Sequence, residues 1–101
     1  MSWLQSLHTF INQASLAPRM HEAVITRSLI NTVLGECEAR RIREVRLITV
    51  EVGFATSFQK NPIEYYFEFF KKEHLPLASA ILHVNMVPGD QIKLRDIEVN
   101  D

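Results

Sequence analysis

Apolar positions recur along this chain in two rhythms, one close to every third or fourth residue and one at every second residue. Trp3, Leu4, Leu7, Phe10, Ile11 and Ala14 form one helical stripe behind Ser2-Trp3-Leu4-Gln5, which has the spacing of a capping box, so a short amphipathic helix is expected there. Ala17-Pro18 ends that pattern, because proline removes a donor and biases its predecessor away from helical angles; residues 15–19 read as a hinge. From Met20 a second helix is expected. Ile25, Leu29, Ile30, Val33 and Cys37 fall on one side of it, with Glu22, Arg27, Asn31 and Glu38 toward its edges or outside.

Residues 45–52 are rich in β-branched side chains, apolar on both sides and followed by Gly53, which predicts a central strand. Asn61-Pro62-Ile63-Glu64 combines an N-cap, a proline at the first helical position and a glutamate at the third, so another helix starts there. Its Ile63, Tyr66, Phe67 and Phe70 face the sheet, and Glu68 and Lys72 have the spacing of a surface ion pair. Tyr65 and Phe69 lie outside that stripe and read as additional core or a subunit interface. Residues 80–87 and 91–100 alternate in the strand rhythm around the turn Pro88-Gly89-Asp90, which predicts an antiparallel hairpin. The apolar phase slips between Leu94 and Ile97, so a bulge is expected near Arg95-Asp96. The strand, helix, strand order over 45–87 implies a parallel crossover. The expected fold is α/β (α+β): a mixed three-stranded sheet with two main helices packed on it and an extra N-terminal short helix.

The chain has 101 residues, enough for one core, and divides into an amphipathic extension and hinge over 1–19 and a domain over 20–101. Its formal charge of -1 argues against a generally basic nucleic-acid binder. Arg40, Arg41, Arg43 and Arg46 nevertheless cluster near the second helix's end, where they complement the backbone dipole as a solvated face or meet an acidic partner or nucleic acid. No apolar run approaches the ~18 residues of a membrane-spanning helix, and no secretory signal is recognisable. The single cysteine, Cys37, excludes an internal disulfide and reads as core; it fits a reducing compartment, and the cytoplasm is the expected location.

The chemistry-bearing segment is Met20-His21-Glu22. A histidine and a carboxylate at a helix mouth are poised for a cation, since first-turn amides have no intrahelical partner, although the same position suits ordinary caps. No nucleophile, base and orienting group assemble into a motif among Ser28, His21, His74 and His83, so an enzyme is not expected.

Met-His-Glu opening a helix, Glu51-Val52-Gly53 closing the first strand of the domain, Phe67-Glu68 in the next helix and Ile97-Glu98-Val99 near the end together resemble the HypA/HybF family of hydrogenase-maturation nickel chaperones. The resemblance runs from Met20 to about Val99. It implies a nickel metallochaperone for hydrogenase maturation, with His21 as principal ligand, Met20 and Glu22 as its neighbours, and an accessory GTPase or the hydrogenase large subunit as partner. Imidazole and other nitrogen donors suit Ni(II).

Two departures from the family pattern stand out. The family's histidine is joined at the metal by a free terminal amine, whereas here residues 1–19 precede Met20 and its nitrogen is a peptide amide. The family also carries two Cys-x-x-Cys pairs between its last two strands, where this chain has Pro88-Gly89-Asp90, so no structural zinc is expected. A second reading therefore stands beside the first: a metal-free interaction module that keeps the family's docking surface as adaptor or regulator. His74 or His83 could complete a weak nickel site beside His21. The large apolar groups of residues 1–14 should dock on the domain itself or on a second copy in a swapped homodimer.

Overall fold

The computed structural model describes residues 2–10 and 22–100, and its elements follow in the order β1 (Ser2–Phe10), α1 (Glu22–Arg40), β2 (Val45–Gly53), α2 (Lys60–Phe70), β3 (Ile81–Val87) and β4 (Ile92–Asn100). The β-branched run of β2 takes the centre of the expected mixed sheet, parallel to β3 on one side and antiparallel to β4 on the other. Val45, Ile48, Val50 and Val52 of β2 share the core with Leu82 and Val84 of β3 and with Ile92, Leu94, Ile97 and Val99 of β4. Both helices cover this face. Helix α1 contributes Ile25, Leu29, Ile30, Val33 and Cys37, the stripe expected from its period, and α2 contributes Ile63, Phe67 and Phe70. Complete burial of a side chain such as Phe67 stabilises the fold by about 2–3 kcal/mol. The slip in β4 is real: Thr49 lies opposite Asp96 and Val50 opposite Leu94, so Arg95 is the extra residue, and Ile97 and Leu94 both stay in the core.

Several expectations are corrected. The sheet has a fourth strand, in the order β1-β4-β2-β3, and Ser2–Phe10 is that strand rather than a helix. A short isolated helix is marginal, whereas β4 offers a row of backbone groups on the side away from β2, which β1 satisfies in antiparallel register from Ser2 opposite Asn100 to Phe10 opposite Lys93. The rest of the expected first helix, residues 11–14, and the hinge at 15–19 lie outside the described residues.

The hairpin between residues 80–87 and 91–100 does not form, because β2 stands between those strands. Pro88-Gly89-Asp90 instead carries the chain across the end of β2. The Gly53 amide donates to the Gln91 carbonyl and the Ala55 amide to the Gly89 carbonyl, both at 2.8 Å, so the turn bonds to the strand it crosses.

Helix α2 begins at Lys60, with Gln59 as its cap in extended conformation, so Asn61 is already helical. The Glu64 carboxylate leaves the helix end and accepts the Val84 amide at 3.1 Å. On the outer side of α2, Glu68 pairs with Lys71 at 2.8 Å rather than with Lys72, because Lys71 is drawn inward to the Ala80 carbonyl. Tyr65 and Phe69 are 68% and 62% exposed, so they are not core; they project from the turns between the buried residues.

Candidate functional site

The mouth of α1 sits against the start of α2, and one side chain makes the join. Glu22 is the first residue of α1, where a carboxylate is favoured by the helix dipole. Its Oε2 accepts the backbone amide of Gln59 at 3.2 Å, a group that the capping position leaves without a helical partner. The Glu22 carbonyl accepts the Thr26 hydroxyl at 2.6 Å, which satisfies the one buried polar side chain of the helix. Met20 and His21 lie outside the described residues.

What brings Gln59 to Glu22 is the turn after β2. Phe54–Thr56 forms one 3-10 turn, and the Thr56 hydroxyl donates to the Gly53 carbonyl at 2.8 Å while accepting the Phe58 amide at 3.2 Å. This pair of hydrogen bonds to one hydroxyl encloses Ser57, which takes the left-handed conformation at φ 68° and turns Phe58 into the core. The chain emerges at Gln59 already extended, ready to enter α2.

Glycine at position 53 is demanded by the same crossing. A Cβ there would stand 2.2 Å from the Gly89 carbonyl oxygen and 2.9 Å from the Asp90 nitrogen, both main-chain atoms that cannot swing away. The Glu51-Val52-Gly53 motif is thus the place where the turn before β4 passes over β2. Glu51 itself faces the open side of the sheet, with Arg95 Nε 3.9 Å from its carboxylate, and Glu98 pairs there with Arg46.

His83 is exposed on that open side, and His74 is half-buried before the 3-10 turn Leu75–Leu77. Among the described residues no three side chains of the His, Cys, Asp and Glu types gather as a metal site. Cys37 is buried in the α1 stripe, where burial, and then the neighbouring Glu36 carboxylate, push its thiol pKa up; a protonated core thiol is a poor zinc ligand. A four-thiolate zinc centre does not fit this set of donors. Among the described residues no helix is long and apolar enough to cross a membrane.

Of the arginine cluster, Arg40 pairs with Glu36 at 2.8 Å and Arg46 with Glu98. Arg41 closes α1 in the left-handed region at φ 57°, with the Ile42 amide returning to the Cys37 carbonyl at 2.8 Å. Gln59 and Lys71 carry no signal in the sequence and Glu64 is legible there only as a capping residue, because the backbone and carboxylate groups they meet at Glu22, Ala80 and Val84 lie on other elements.

Comparison with known proteins places these features in a family. The family model described as HypA, hydrogenase/urease nickel incorporation, metallochaperone, matches residues 20–93. A hydrogenase maturation factor HypA from Methanocella arvoryzae is 31% identical over 67 residues, 66% of this chain and 59% of that protein. One of the same description from Caldanaerobacter subterraneus subsp. tengcongensis is 31% identical over 49 residues, 48% of this chain and 43% of that protein. The chain therefore spans about half the length of the curated relatives it matches. The solution structure of the Ni metallochaperone HypA from Helicobacter pylori superposes with a TM-score of 0.63 at 25% identity, over 67% of this chain and 58% of that one.

Proposed function

The chain belongs to the HypA family, and from that premise we propose that it is a cytoplasmic nickel metallochaperone, an accessory protein in the maturation of nickel–iron hydrogenase rather than an enzyme. The observation that carries this reading is the family match over residues 20–93, which begins at the Met20-His21-Glu22 segment itself. Nickel is cargo here. His21 supplies an imidazole, Met20 a main-chain nitrogen, and Glu22 either completes the ligand set or aims the segment through its bond to the Gln59 amide. The recipient is an accessory GTPase or the hydrogenase large subunit.

Calorimetric nickel titration tests the site. The full chain is compared with His21→Ala, which is expected to abolish binding, and with a chain beginning at Met20, which is expected to bind more tightly. The freed α-amine loses its proton near pH 8, whereas ionising a peptide amide takes far more driving force. An affinity indifferent to both changes would falsify the assignment.

The second reading, a metal-free adaptor, draws support from the single core cysteine and from the three-residue turn that stands where the family carries its zinc segment. It predicts that neither length of chain takes up nickel while partner binding survives. A β1–β4 pairing exchanged between two copies would give a swapped homodimer in either reading, which light scattering on the full chain detects.

A further inference from the structure

The outer edge of β3 is one end of the sheet, and an unpaired strand edge is a template on which another chain can add. In a strand paired on one side, the backbone groups of alternate residues point away from the neighbour. The Val84 amide is one of these, since it donates to the Glu64 carboxylate rather than to β2. The Ala80 carbonyl, four residues earlier and thus on the same side, accepts Lys71 Nζ at 2.8 Å. Two side chains from the helical segment beside the edge therefore occupy one donor and one acceptor of the same row.

Lys71 is held there. Its side chain is only 12% exposed, its ammonium also meets the Glu68 carboxylate at 2.8 Å, and it lies 5.9 Å from the centre of the Phe67 ring. A lysine that buries its stem and charge at a strand edge gives up hydration, which the carbonyl, the carboxylate and the ring face replace. Glu64 and Lys71 are seven residues apart, two helical turns, so both project from one side of the same segment.

We propose that α2 and the residue that caps its end guard this edge: Glu64 and Lys71 stand in for a fifth strand and keep a second copy of the chain from adding to β3. The inference does not depend on nickel. Exposed side chains of Ile81, His83 and Asn85 alternate along β3 with its buried ones, so a self-paired edge would extend both the core face and the polar face without a break.

Hydrogen exchange on the full chain gives the first test. In the unsubstituted protein the Val84 amide should exchange more slowly than that of Met86, which points the same way and takes no cap among the described residues. Glu64→Ala should speed Val84 exchange roughly tenfold, the worth of one hydrogen bond, and Glu64→Gln, which keeps an acceptor, should restore most of the protection. The second test is mass. Glu64→Ala combined with Lys71→Ala should raise the light-scattering mass with concentration, above that of the unsubstituted chain, with new protection at β3 amides. A Val84 amide as fast as Met86 in the unsubstituted chain, or a doubly substituted chain of unchanged mass, overturns the proposal.

Discussion

Gly53 lies beneath Gly89 so closely that the carbonyl oxygen of the turn occupies the space a side chain would need, 2.2 Å from an ideal Cβ. The two glycines serve different ends. Gly53 has an ordinary negative φ of -70° and is there for clearance, whereas Gly89 adopts φ 116° and is there for conformation. Gly53→Ala is therefore expected to destabilise the fold by about 1–3 kcal/mol, the usual toll of overpacking against rigid atoms. Urea denaturation measures it, and a midpoint equal to that of the unsubstituted chain would show that the crossing has room to spare.

Arg41→Gly should have the opposite sign. Arginine at the left-handed C-terminal position of α1 bears a steric penalty that glycine avoids, while the closing bond from the Ile42 amide to the Cys37 carbonyl is retained. The expected gain is about 0.5–1 kcal/mol, less than the full steric term because glycine also loosens the unfolded chain. A lower thermal midpoint would mean that the arginine makes a contact worth more than the strain.

The Cys37 thiol gives stability a slope on the alkaline side. Burial first, and Glu36 second, raise its pKa in the folded chain, so the unfolded chain loses the proton first as pH climbs past about 8.5. The thiol's contribution is fully present below that value and is lost as pH rises through the folded pKa. Denaturation free energies measured on the neutral and alkaline sides should fall more steeply for the unsubstituted chain than for Cys37→Ala, and parallel slopes would show that the thiol does not participate.

Chelation should leave the fold intact. With one cysteine, buried in the helical stripe, the chain has no thiolate set for structural zinc, so its melting temperature is expected to be the same with and without a strong chelator. A marked drop would point to a histidine and carboxylate site, or to one shared between copies.

Elements with a strong period were legible. The α1 stripe from Ile25 to Cys37, the β-branched run of β2 and the phase slip at Arg95 each follow from local spacing, because a buried face forces its period on the residues that form it. The family was legible from residue 20 onward, and Glu22 as an acidic opening of α1. Its bond to Gln59 was not, because the partner is 37 residues away and is a backbone group with no side-chain signature.

Sequence by itself determined which stretches are apolar on one face, where the chain turns, and the family to which the domain is similar. Tertiary structure decided how those stretches are joined. Pro88-Gly89-Asp90 has the composition of a hairpin turn, yet the bonds it makes to Gly53 and Ala55 lead it across β2, so β4 pairs with β2 instead of β3. Ser2–Phe10 has a helical stripe, yet the available edge of β4 makes it a strand, because pairing a row of backbone groups outweighs a weak intrinsic helical preference. Glu64 has the position of a capping glutamate, yet it serves β3. In each case the local pattern permitted two structures, and a backbone donor or acceptor from a distant part of the chain selected one.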